Sequence, residues 1–233
     1  MRICFLLAVA IIASTAMAQE DTASSWSEKG YDLLFQFKYE EALTAFDQAI
    51  SIDQQHVAAW IGKGSALDYL GNYSEALDAF NKTIEIAPYD PRGWVGRGLA
   101  LYSLNKTNKS LEAYNTAIEM DPEYAIAWND KAWSLLTLGD YEEAVDDADR
   151  GIQLLNRDLA STLDTKGVAL VGLGEYEQAL ECFDRAIELE PSIAETWFHK
   201  GDVLKGLGRE DDAEAAYAVA RNSTLVWPSG EDV

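Results

Sequence analysis

The sequence predicts an all-α chain built as a stack of six helix–turn–helix hairpins. Three observations predict it. A motif recurs at intervals of 34 or 35 residues. Apolar residues inside each unit fall at the spacings of three and four that put them on one helical face. Glycine or proline stands where each helix has to stop.

The recurring motif is plainest in Trp60-Ile-Gly-Lys-Gly64, Trp94-Val-Gly-Arg-Gly98 and Trp128-Asn-Asp-Lys-Ala132. Trp26-Ser-Glu-Lys-Gly30 and Trp197-Phe-His-Lys-Gly201 join them, and Leu163-Asp-Thr-Lys-Gly167 carries Leu for Trp. The closing small residues lie at 30, 64, 98, 132, 167 and 201. A Leu follows three residues later in every unit, at 33, 67, 101, 135, 170 and 204. With the Trp it forms one face of a first helix. Then come a glycine, an aromatic and a small residue, as in Gly71, Tyr73 and Ala76 or Gly139, Tyr141 and Ala144. The glycine suits the left-handed position that ends a helix. The aromatic, the Ala and a second aromatic (Phe46, Phe80, Tyr114, Phe183, Tyr217) form one face of a second helix. Pro88, Pro122 and Pro191 close their units, since proline cannot continue a helix. One hairpin cannot bury its apolar face alone, whereas stacked hairpins bury a continuous core.

This pattern resembles the tetratricopeptide repeat, a 34-residue unit with Trp, Leu-Gly, Tyr, Ala, Phe and Pro in this order. The resemblance implies a right-handed α-solenoid over residues 23–227, in repeats 23–56, 57–90, 91–124, 125–159, 160–193 and 194–227. Departures are local. The third repeat has Thr107 and Ser110 for Tyr and Ala, and the fourth has Ala148 for its aromatic and no closing Pro. One extra residue lies between Gln153 and Thr162, so Leu154 to Asp158 is the expected hinge. After the last repeat, Leu225, Val226 and Trp227 are expected to fold back over the final hairpin, with residues 228–233 as a tail; pairing of that end with another copy is the alternative.

The resemblance also implies a non-catalytic scaffold that takes an extended or helical protein segment in a concave groove lined by first helices. Number each unit so that its Trp is position 4 and advance 100° per residue. Positions 4, 8 and 11 then pack inward, and 2, 5, 9, 12 and 13 point about 130° away. Those positions hold Tyr31, Leu34 and Phe35, then Ile61, Asp68 and Tyr69, then Arg92, Val95, Leu99 and Tyr102. The later repeats supply Ile126, Asn129, Trp133 and Leu136, then Asp164, Val168 and Val171, then Glu195, Phe198, Asp202 and Lys205. Aromatic anchors are where interface energy concentrates. The expected partner is an apolar or aromatic segment with a positive charge near Asp68, Asp164 or Asp202. Against the groove reading, Leu34, Leu99 and Leu136 are expected to pack between neighbouring first helices. The basic ladder Lys29, Lys63, Arg97, Lys131, Lys166 and Lys200 occupies position 7 of all six units, about 300° round the same wheel. Its stems are expected to lie beside the core and its charges to reach acids of the second helices.

Composition narrows the function further. The 233 residues are 48% hydrophobic and 25% charged, which suits a globular chain. The net charge of -22 repels nucleic-acid phosphates and anionic lipid, and it suits cationic or neutral partners or a saline milieu. Met1-Arg2, the apolar run Ile3 to Ala13 and the pattern Ala16-Met17-Ala18 read as an export signal over 1–18, followed by a short linker at 19–22. Retention of the segment as a membrane anchor is the lesser reading. Cys4 precedes the cleavage pattern, so removal leaves Cys182 alone and no internal disulfide. His56 and His199 stand four repeats apart, and no metal-ligand spacing, phosphate loop or nucleophile motif is present. We therefore expect no enzyme, no cofactor, no metal and no small-molecule substrate. Five asparagines lie in N-x-[ST] sequons, Asn72, Asn81, Asn105, Asn108 and Asn222, so N-glycosylation is expected in a host that performs it. A self-assembling or envelope-associated structural role, or a membrane-tethered adaptor, is the alternative to the binding scaffold.

Overall fold

The computed structural model describes residues 22–155 and 160–223. The export segment, most of the expected hinge and the fold-back segment lie outside the described residues. Within them, twelve helices follow one another along the chain, two to a repeat: α1 (Ala23–Phe35) and α2 (Tyr39–Ile52), α3 (Val57–Tyr69) and α4 (Tyr73–Ile86), and α5 (Pro91–Ser103) and α6 (Thr107–Met120). The remaining repeats hold α7 (Ala125–Leu136) and α8 (Tyr141–Leu155), α9 (Ala160–Leu173) and α10 (Tyr176–Leu189), and α11 (Ala194–Gly206) and α12 (Glu210–Asn222).

The chain divides into two compact units, one ending at Leu104 and the other beginning at Asn105. The division falls inside the third repeat rather than at the one-residue insertion. That is the repeat whose second helix opens on Thr107 instead of a tyrosine. In the first unit α1 to α5 pack each on the next, and the first helices α1, α3 and α5 also touch in succession. In the second unit α6 to α12 do the same, with α7, α9 and α11 in succession.

Turn chemistry explains where the first helices stop. Gly71, Gly139, Gly174 and Gly208 have φ between 75° and 80°, and a Cβ at any of them would meet nothing within 4 Å. Their glycines are therefore demanded by the backbone and not by packing. Asn105 at φ 57° and Phe37 at φ 58° fill the same position in the third and first repeats. Asparagine tolerates that conformation and phenylalanine does not.

Close approach explains the core. A Cβ on Gly30 would lie 2.5 Å from the Phe46 ring, and one on Gly62 would lie 2.2 Å from the same ring. Phe46 on α2 is thus gripped between position 8 of its own first helix and position 6 of the next one, and it is fully buried. Gly64, Phe80 and Gly96 repeat the arrangement at 2.7 and 2.2 Å. In the second unit Gly167 meets Phe183 at 2.5 Å, while position 6 of the following helix is His199, whose ring lies 5.9 Å from that of Phe183.

The motif tryptophans and the basic ladder form a second, outer layer. The indole N–H groups of Trp60, Trp94, Trp128 and Trp197 donate to the carbonyls of Gln54, Pro88, Pro122 and Pro191, six residues earlier, at 2.9–3.0 Å. Each bond ties the loop between repeats to the helix that follows it. The cations of Lys29, Lys63, Arg97, Lys131 and Lys200 sit 4.5–5.9 Å from the ring centres of their own repeats' tryptophans. Lys63 pairs with Asp47 at 2.7 Å, Lys166 with Asp149 at 2.6 Å, and Lys200 with Asp184. Lys131, almost fully buried, pairs with Glu143 at 2.8 Å and Asp147 at 2.9 Å. Every acid in these pairs lies on a second helix, so these lysines are structural pairs.

If the glycine at position 6 exists to admit the ring, Gly62→Ala lowers stability by about 1–3 kcal/mol through overpacking, and Phe46→Leu in the same chain recovers part of that loss. Urea denaturation of the two single variants and the double variant measures the coupling. Additive losses contradict the grip.

Candidate partner-binding surface

The expected groove residues separate by their position in the repeat. Those at position 5 face a neighbouring helix more than solvent, except in the last repeat. Ile61 and Asn129 are half-buried, and Val95 is only 8% exposed, so it offers no surface to a ligand. Asp164 is also buried, and His199 on the next first helix meets its two carboxylate oxygens at 3.0 and 3.1 Å. Phe198, on the last first helix, is exposed and lies 6.0 Å from the Tyr217 ring.

In the first unit, Tyr31 is half-buried. Its ring meets Phe46 edge-on at 5.1 Å and its hydroxyl donates to the Ala58 carbonyl at 2.8 Å, joining α1 to α3. Tyr102 is half-buried. Phe35 and Tyr69, both at position 13, are 82% and 57% exposed. Tyr69 stacks on Tyr39 with centroids 4.8 Å apart, and Tyr39 in turn meets Phe37 edge-on at 6.5 Å. Phe37 is 70% exposed. The turns of the first unit therefore carry three aromatics in contact, Phe37, Tyr39 and Tyr69, with the exposed Phe35 two residues before Phe37; the sequence reading named Phe35 and Tyr69 and missed Phe37 and Tyr39. Asp68 stands next in sequence to Tyr69 and accepts from the Ser103 hydroxyl at 3.4 Å. Burial pushes its carboxyl up to about 6 against the opposing effect of that hydrogen bond.

In the second unit, Trp133 is 39% exposed. The Asn129 side-chain amide donates to Asp130 at 3.3 Å, and its carbonyl oxygen is buried with no hydrogen-bond partner among the described residues. Asp202 is exposed and accepts from the Tyr217 hydroxyl at 2.7 Å. A cleft of about 330 Å³ opens beside it, lined by residues of α9, α10 and α11. The sequence reading left His199 without a role; here it borders that cleft and pairs with Asp164. The five sequon asparagines are all exposed, Asn105 in its left-handed turn. Among the described residues no group of three or more His, Cys, Asp or Glu side chains is placed to hold a metal ion, and no helix is long and apolar enough to cross a membrane. Cys182 is free and half-buried.

Paired helices of one repeating pattern, with the small residues turned inward and aromatics left at the turns, define a helical-repeat scaffold. The tetratricopeptide repeat model matches residues 27–91, 95–157 and 165–224, and the chain belongs to that family. No curated protein matches it in sequence. Among solved structures, the Cut9–Hcn1 hetero-tetramer of the APC/C superposes with a TM-score of 0.82 at 16% identity, over 94% of this chain and 43% of that one. This chain thus spans less than half the length of that relative. PilW, a type IV pilus biogenesis factor, superposes at 0.75 with 17% identity, over 88% of this chain and 95% of its own. A thermophilic tetratricopeptide repeat protein of Thermus thermophilus gives 0.68 at 18%, over 86% and 99%. At these identities the likeness shows the fold.

Two outcomes follow from the site geometry. Phe37→Gly relieves an L-residue held at positive φ and raises stability by about 1 kcal/mol in urea denaturation, whereas Phe37→Ala gains nothing comparable. Equal midpoints for the two variants contradict the strain. Burial opposes the charge on His199, but the hydrogen bond and charge of Asp164, with Asp202 and Glu195 adding, outweigh it, so its pKa lies above the ordinary value. A raised histidine stabilises the fold fully below about pH 6.5, and that stabilisation is lost as pH rises through the folded pKa. Stability therefore falls above about pH 6.5 in the native protein, and His199→Gln flattens this part of the profile. Denaturation midpoints at about pH 6, 7 and 8 read the difference, and an unchanged slope in the variant contradicts it.

Proposed function

We propose that the chain is an exported, non-catalytic scaffold that binds a protein segment on the surface carried by its first helices and their turns. Membership of the tetratricopeptide repeat family, whose members bind protein partners, supports the general reading, as does the solution of Cut9 in a hetero-tetramer. The observation that carries the particular surface is the aromatic patch of the first unit. Phe37 occupies a left-handed turn that four other hairpins give to glycine, and it leaves 70% of its surface in solvent. It therefore strains the backbone without adding to the core. A bound partner accounts for both costs, because a large aromatic recovers its apolar area on contact. Asp68, desolvated at the edge of Tyr69, favours a segment that brings a cation, which stabilises the charged carboxylate. The apolar start of the chain supports placing this role outside the cytoplasm, and the exposed sequons are compatible with modification there.

The test is capture by the full chain from the host's envelope and secreted fractions, beside a variant carrying Phe35→Ala, Phe37→Gly and Tyr69→Ala. The captured protein is then made recombinantly and titrated against both. We expect a partner bound by the native chain and weakened at least about hundred-fold by the variant, whose fold is checked by circular dichroism. Equal affinity for the two contradicts the surface, and no partner for either contradicts the scaffold reading.

A further inference from the structure

We propose that the cleft of the second unit takes one aliphatic side chain of a bound segment together with a neighbouring lysine or arginine. This rests on the scaffold reading and adds to it a second site of stated chemistry. The cleft is about 330 Å³, at the small end for a binding pocket, which suits a side chain and its flank better than a free metabolite. Its apolar wall is Val168 and Val171 on α9, Phe183 on α10 and Val203 on α11.

The polar end is acidic. Asp202 borders the cleft, and its Oδ1 accepts from the Tyr217 hydroxyl at 2.7 Å. His199 also borders the cleft, and Asp164 offsets its charge. Among the lining residues Asp202 is the carboxylate, and its charge favours a cation.

The rim supplies an independent observation. Gly206 lines the cleft at position 13 of its repeat, where Phe35 and Tyr69 stand in the first two. The fifth repeat also has glycine there, but for a visible reason: a Cβ on Gly172 would lie 2.5 Å from the Tyr141 ring. A Cβ on Gly206 would meet nothing within 4 Å, and its φ is not in the left-handed range. Neither packing nor turn geometry asks for glycine at 206. Glycine in a helix is less favourable than other residues, and its use at the cleft's mouth leaves backbone bare for close approach of an occupant.

The experiment is an NMR titration of the full chain with methyl-labelled valine and leucine. The probe is a blocked glycine–serine decapeptide with one Leu followed two residues later by Arg. Companion peptides carry Ala for the Leu or Glu for the Arg. We expect the methyl signals of Val168, Val171 and Val203 to shift with the Leu–Arg peptide, and roughly ten-fold weaker binding for either companion. Gly206→Leu fills the mouth of the cleft. It is expected to weaken the Leu–Arg peptide by about ten-fold while its urea midpoint stays at or above the native one. Silent valines overturn the proposal, as do equal shifts with the Glu peptide or an unaffected Gly206→Leu variant. Methyl shifts confined to the first unit around Phe35 and Tyr69 overturn the cleft and leave the scaffold reading standing. Failure of the scaffold reading itself is registered separately, by the absence of any captured partner.

Discussion

The grip of two glycines on one aromatic is the contact on which the first two repeats depend. Phe46 and Phe80 each sit on a second helix and fill the notch between two successive first helices. A single ring thus closes a hairpin and docks the next one. The geometry leaves no room for a side chain at either flank, which explains why glycine persists in helix interiors where it is otherwise unfavourable by about 1 kcal/mol. Where the ring changes, its flank changes too. Ala148 replaces the aromatic in the fourth repeat, and position 6 of the next helix becomes Thr165, which is buried. Phe183 keeps its ring but is followed by His199, which needs a carboxylate, and Asp164 one repeat earlier provides it. The ion pair beside the second-unit cleft therefore begins as a packing exception.

The tryptophans and the basic ladder do different work. The indole bond back across the inter-repeat loop fixes how the chain enters four of the first helices, and the cations of Lys63, Lys131 and Lys200 above their rings are directed to acids on second helices. The face carrying positions 9, 12 and 13 is shared between packing and exposure: Leu34, Leu136, Val168 and Val171 lie against the core, while other residues there reach solvent. Residues there are accordingly uneven: Trp133 and Tyr69 are exposed, whereas Tyr31 has become a bridge between α1 and α3.

The repeat was legible in the sequence because each residue type answers a local demand: left-handed φ for glycine, helix termination for proline, an inward face for Leu. The tryptophans, expected to pack inward, are half-buried and lie in the outer layer under the basic ladder. The site was legible only in part. A helical wheel treats one helix at a time, so it placed Val95 and Asp164 outward, whereas both are buried in the folded chain. The His199–Asp164 pair joins residues 35 apart on separate helices, which a wheel cannot register. Phe37 was open to detection, since the column of turn glycines at 71, 139, 174 and 208 makes its substitution visible. Gly206 was not, because only the folded surroundings distinguish a glycine that packing requires, such as Gly172, from one that it does not.

The central claim is that the turns of the first unit form a binding surface and that their strained, exposed aromatics exist for it. Hydrogen–deuterium exchange of the full chain, free and saturated with its captured partner, tests this most directly. Slowed exchange is predicted in the turns that carry Phe37 and Leu70, with α2 and α4 unchanged on their outer faces. Slowed exchange confined to the second helices, with those two turns unaffected, would contradict it.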